Sequence, residues 1–96
     1  MTVFAVEYRY DASTASRRDE VRPDHRGWLA TVAEKGQLLV SGPYEDGTGA
    51  LLLFKADDPD SLHTLLAEDP FAVEGLLAET NTVAWTPVSG SLVSQF

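Results

Sequence analysis

Residues Gln37 to Ala56 read QLLVSGPYEDGTGALLLFKA, and the fold follows from how that stretch divides. Gln37–Tyr44 is an apolar run that breaks at Gly42-Pro43, and Glu45-Asp46-Gly47-Thr48-Gly49 is a cluster of turn formers. Ala50–Ala56 then carries Leu51, Leu52, Leu53 and Phe54 without interruption. Two short apolar runs joined by Gly and Asp predict a β-hairpin, because those residues tolerate the backbone angles of a reversal. The Gly-x-Gly of Gly47-Thr48-Gly49 leads from strand to strand. A phosphate cradle needs a helix after it, so this is a turn. Along the second strand of the hairpin, side chains alternate between faces, Leu51 and Leu53 on one and Leu52 and Phe54 on the other.

Toward the N-terminus, Thr2–Tyr10 alternates with a period of two, Phe4, Val6, Tyr8 and Tyr10 sharing one face, and reads as a strand. Asp11–Val21 (DASTASRRDEV) is polar and reads as a loop. From Pro23 the spacing of Trp28, Leu29, Val32 and Ala33 predicts a helix that stops at Gly36, with Pro23 in its first turn, where a missing N–H costs nothing. Toward the C-terminus, Asp58-Pro59 opens a helix bearing Leu62, Leu65 and Leu66, and Asp69-Pro70 opens a short helical turn through Leu76. Glu79–Val88 reads as a fourth strand, and the tail 89–96 is polar except for Leu92, Val93 and Phe96.

The order is therefore β-α-β-β-α-β. Right-handed crossovers turn it into a ferredoxin-like α+β domain, a four-stranded antiparallel sheet with both helices on one face. Two helices cover one face only, yet the strands are apolar on both. The expectation is a homodimer that packs sheet against sheet.

Composition narrows the function. The chain of 96 residues fits one domain, and its 44% hydrophobic and 23% charged residues are those of a globular protein. With 7 basic against 15 acidic residues the net charge is −8, which argues against nucleic acid or an anionic membrane as partner. There is no cysteine, hence no disulfide, thiol nucleophile, iron–sulfur cluster or cysteine zinc site. The longest apolar run, Ala50 to Phe54, is far shorter than the roughly 20 residues of a membrane helix. The N-terminus lacks the basic and apolar regions of a secretory signal, so a cytoplasmic location is expected.

His25 is the first candidate for chemistry. On the inward edge of a helix N-terminus, an imidazole half-removed from water suits proton transfer near neutrality; the plainer reading is a buried histidine bonded to backbone. Asp69, taken alone, is a helix cap before Pro70, as Asp58 is before Pro59. As a partner of His25 it would fix the ring tautomer, and a cap leaves one carboxylate oxygen free for that. Arg17, Arg18, Arg22 and Arg26 concentrate four of the seven basic residues in ten positions. An arginine beside a pocket histidine suits a carboxylate or enolate, although Asp19, Glu20 and Asp24 offer local charge balance. Ser41 lacks a Gly-x-Ser-x-Gly context, and is better suited to a hydrogen bond into a cavity than to nucleophilic attack. His63 falls off the leucine face of its helix and reads as solvated. Two histidines on separate helices lack metal-ligand spacing, so no metal is expected. Trp28 and Trp85 read as core aromatics, with Trp85 on the fourth strand also placed to line a cavity.

Arg22-Pro23-Asp24-His25, Ser41-Gly42-Pro43 and Asp69-Pro70-Phe71, in this order and spacing, resemble the YciI-like (YCII-related) family. The resemblance covers residues 1–88 and leaves 89–96 as a tail, an edge strand or dimer contact. It implies a domain that dimerises as the dimeric α/β barrels do, with a site built from His25 and Asp69, bordered by Ser41 and Gly42, with Arg22 at its mouth. One kind of family member is a dehydrochlorinase of a chlorinated ring compound, and the wider superfamily includes isomerases and cofactor-free monooxygenases. Two readings follow. The first is a small enzyme performing elimination or isomerisation through His25 and Asp69 on a small organic molecule, with no cofactor. The second is a non-catalytic ligand-binding or accessory module that uses the same cavity. An oxygen-consuming monooxygenase is the third and weaker option.

Overall fold

The hairpin is present as β2 (Leu38–Pro43) and β3 (Gly49–Ala56) in the computed structural model, which describes residues 1–96. Around it lie β1 (Thr2–Arg9), α1 (Ala15–Glu34), α2 (Pro59–Leu66), α3 (Pro70–Val73) and β4 (Glu79–Ala84). The four strands form one antiparallel sheet in the order β2-β3-β1-β4, the ferredoxin-like arrangement. In the central strand, Tyr8 stands opposite Ala50 of β3 and Thr80 of β4.

Alternation along β1 and β3 sorts their side chains as the sequence pattern demands. Phe4, Val6 and Tyr8 with Leu52 and Phe54 point to the helices and are buried against Val32 of α1 and Leu62 and Leu66 of α2. Each such side chain contributes roughly 1.5–3 kcal/mol by leaving water. Where β3 begins, a side chain is forbidden. A methyl group on Gly49 would lie 2.1 Å from the Tyr8 carbonyl oxygen, so the close approach of β3 to β1 beside Tyr8 requires glycine.

Helix α1 departs from the sequence expectation. It begins at Ala15, after a 3-10 turn at Ala12–Thr14 that Asp11 opens by accepting from the Ser13 N–H, so residues 15–21 are helix and not loop. Pro23 consequently sits inside the helix. It is exposed, as is Asp19, whose carbonyl lacks the N–H that Pro23 cannot supply. The first turns are polar because they face solvent, apart from Arg18 and Val21, which are buried. Ala33 is exposed, and α1 ends as expected at Gly36, whose φ of 76° closes it in the left-handed region.

The other face of the sheet carries no helix. Val40 (55% exposed), Leu51 and Val83 (62% exposed) lie open on it. The chain leaves β4 at Ala84, short of the expected Val88, and the tail forms a 3-10 turn at Val93–Gln95 and no edge strand. Phe96 meets Trp85 edge-on at 5.8 Å, and the tail borders an open hollow of about 580 Å³ beside Val40 and Leu53. Trp85 thus belongs to this outer surface and not to the core.

Candidate active site

Asp69 is the hub. It precedes α3, and its Oδ1 accepts the Phe71 N–H at 2.9 Å, the N-cap bond that Asp-Pro-Phe announces. The same oxygen lies 2.7 Å from His25 Nδ1, while Oδ2 accepts the Tyr8 hydroxyl at 2.8 Å. The free oxygen that the sequence reading reserved for His25 is therefore taken by Tyr8, and cap and imidazole share the other. Asp69 is fully buried and has three donors, as a desolvated carboxylate requires.

This arrangement assigns the tautomer of His25. A carboxylate oxygen only accepts, so Nδ1 carries the hydrogen and neutral Nε2 keeps a lone pair. Nε2 bonds no protein group, and His25 lines a cavity of about 300 Å³. His25 is the eleventh residue of α1, nearly three turns from its start, so it does not stand at the helix N-terminus where the sequence reading placed it. Its orientation is set by Asp69 on one edge and by Phe71 on one face, the two rings stacked at 4.0 Å and 6°. Phe71 meets Tyr10 edge-on at 6.1 Å, and the Arg18 guanidinium lies 4.4 Å over the other ring of that pair, Tyr10.

Tyr8 and Tyr10 are the residues that sequence reasoning missed as site groups. Burial, joined by the Asp69 charge and hydrogen bond, holds the Tyr8 hydroxyl far above the usual phenol range, so it stays a donor. Burial also raises Tyr10, against the opposing pull of Arg18. The available signal was a tyrosine in an inward-facing row, since its hydroxyl must find a partner when buried.

The cavity brings together Arg22, His25, Ser41 and Gly42, with Arg26 and Tyr10 beside them. Ser41 and Gly42 are exposed on its rim at the end of β2. Arg22 is bound to Asp19 through a salt bridge on the exposed side of α1. His63 lies elsewhere, exposed, with Nε2 3.4 Å from Thr82 Oγ1. No three His, Asp or Glu side chains converge as a metal site would require.

A four-stranded ferredoxin-like sheet whose helices hold a buried His–Asp pair at the edge of an open cavity defines the class: an α+β domain of the kind found in small-molecule enzymes of this fold. Within that class the chain belongs to the YCII-related domain family, whose pattern matches residues 1–86. Among solved structures it is similar to TftG, the 5-chloro-2-hydroxyhydroquinone dehydrochlorinase of Burkholderia phenoliruptrix in complex with 2,5-dihydroxybenzoquinone, at TM-score 0.77 and 25% identity, covering 86% of this chain and 92% of that one. An antibiotic biosynthesis monooxygenase is similar at TM-score 0.61 and 12% identity (93% and 100% covered). An uncharacterised NIPSNAP domain protein of Burkholderia xenovorans is similar at TM-score 0.55 and 19% identity (93% and 96% covered). The last two likenesses concern the fold alone. No curated protein matches the chain.

Proposed function

We propose that the protein is a small cytoplasmic enzyme that performs acid–base chemistry, an elimination or isomerisation, on a small organic molecule. One observation carries the reading: the 2.7 Å contact of His25 Nδ1 with a buried carboxylate, which leaves Nε2 unpaired toward a cavity. Nε2 takes a proton from an atom next to a carbonyl, and the electron pair left behind becomes an enolate. That pair then expels a leaving group, or is reprotonated at a neighbouring atom by the same imidazolium. Asp69 holds the ring in position and offsets the charge that appears on it, as a buried carboxylate does for a general base. Ser41 and the Gly42 backbone contact the substrate from the rim, and Arg22 does so from the mouth. The dehydrochlorinase activity printed for TftG, a loss of a proton and a chloride, is of this type and supports the assignment.

The test is release of chloride from 5-chloro-2-hydroxyhydroquinone and turnover of related cyclic ketones and lactones. His25→Ala is expected to lower the rate of any substrate turned over by roughly 10²–10⁴, about 3–5 kcal/mol of barrier. Unchanged turnover in that variant overturns the assignment.

A second reading is a non-catalytic ligand-binding module. It draws on the fact that all three bonds to Asp69 satisfy buried groups, as a purely structural cap would. A ligand that binds the cavity unaltered, with no product over the panel, favours that module.

The apolar outer face, open at Val40, Leu51 and Val83, supports a homodimer in which residues 1–88 pack sheet to sheet and the tail 89–96 contacts the partner. Sedimentation as a monomer at micromolar concentration overturns it.

A further inference from the structure

Arg22 and Arg26 both border the His25 cavity, but they are in different electrostatic states. Arg22 is engaged by Asp19. Arg26 has no carboxylate partner, in a chain where acidic residues outnumber basic ones by 15 to 7. Its helical neighbours explain why. The positions three and four residues away are Arg22, Pro23, Leu29 and Ala30, which include no acid and one like charge. Leu29 packs against the core, but Ala30 is exposed, and an acid there would have given Arg26 a partner. Lys35 and Lys55 are unpaired too, but Arg26 is the one of the three that borders the cavity, where its charge is free to meet an anion.

The cavity has room for a substituted ring compound. Its volume is about 300 Å³, against roughly 150 Å³ for a cavity that accepts benzene. Aromatic rings of Tyr10 and Phe71 line it, together with the His25 imidazole, which stacks on Phe71 and whose Nε2 bonds no protein group. A guanidinium on the rim offers a planar fork of donors to an oxyanion lying in the plane of such a ring.

We propose that Arg26 is the specificity-determining counter-charge of this site, selecting a planar ring that bears an oxyanion (an enolate, phenolate or carboxylate) and orienting it toward His25. The assignment rests on the reading of the His25 cavity as a substrate site. It moves the anion-recognising role from Arg22, whose charge is already balanced, to its neighbour one turn on.

Two probes of similar size separate charge from shape: 2,5-dihydroxybenzoquinone, a dianion at neutral pH, and hydroquinone, which is neutral. Binding is measured by calorimetry at low and high salt, and the imidazole signals of His25 are followed by NMR in the same samples. The wild type is expected to prefer the dianion, with a preference that salt weakens. Arg26→Gln is expected to lose roughly 10- to 100-fold in dianion affinity, the worth of a hydrogen bond to a charged group, and to keep its affinity for hydroquinone. Lys35→Gln, which removes the same charge away from the cavity, is expected to bind both as the wild type does. Equal dianion affinity in wild type and Arg26→Gln, or an equal loss for both probes, overturns the role of Arg26. If the dianion shifts the His25 signals in both proteins, the cavity assignment survives that outcome. If it shifts them in neither, the cavity assignment falls as well.

Discussion

At the scale of single residues, the candidate site is a question of which hydrogen bonds a buried carboxylate can satisfy. Asp69 is sealed from solvent, so each of its three donors must be present in the folded protein. Tyr8→Phe removes one of them without changing shape. It is expected to cost about 1.5–3 kcal/mol in urea unfolding, the range for a hydrogen bond to a charged group. Asp69→Ala strands the Tyr8 hydroxyl, the His25 N–H and the Phe71 N–H together, and is expected to cost more, roughly 3–5 kcal/mol. Nitrogen chemical shifts should find neutral His25 protonated at Nδ1, and Asp69→Ala, which removes the acceptor, should abolish that preference. The pairing of His25 with Asp69 was legible through the family resemblance that Arg-Pro-Asp-His and Asp-Pro-Phe carry in combination, since Asp69 alone reads as a cap like Asp58. Tyr8 was not, since alternation along β1 marks it only as inward-facing, and no local pattern says that a hydroxyl 61 positions before Asp69 will reach it. Arg26 was legible as a basic residue. That its charge is unpaired became apparent only when Arg22 was found on Asp19.

At the scale of elements, helix starts were read well where the cap was followed at once by an apolar face. Asp58 accepts from the Ser61 N–H and Asp69 from the Phe71 N–H, both with proline at the first helical position. The same grammar misled at Pro23. Residues 15–21 are polar because that part of α1 faces solvent, and a solvent-facing helix is indistinguishable from a loop in a count of apolar residues. The two placements of Pro23 make opposite predictions. Within α1, Pro23→Ala restores a backbone donor and should raise the melting temperature; at a first turn it would leave it unchanged or lower it. The cap at α2 has a pH signature. Hydrogen bonds from Ser61 hold Asp58 below its usual carboxyl range, so the folded state prefers the charged form. That stabilisation is complete above the unfolded carboxyl value of 3.8 and is lost as pH falls through the depressed folded value. Asp58→Ala should therefore lower the melting temperature at pH 7, with the difference from wild type shrinking as the pH is lowered below 4.

At the scale of the whole molecule, the sheet has one face in a helical core and one face largely bare. The β-α-β-β-α-β order and the doubly apolar strands were both visible in sequence, because strand alternation reports each face separately. The course of the tail was not, since three apolar residues in eight carry no period. Leu51 lies on the bare face, and it is exposed. If the homodimer forms there, Leu51→Glu should shift sedimentation from dimer to monomer while leaving the far-ultraviolet spectrum of each protomer intact.

The bonds that converge on Asp69 join residues 44 and 61 positions apart, from the first strand, the first helix and the last third of the chain. Closing loops of that length is slow compared with helix formation. During refolding, helical dichroism should therefore return before the stacked His25 and Phe71 rings take up their fixed geometry. A ring-current shift on His25 would then serve as a clock for the final step of assembly.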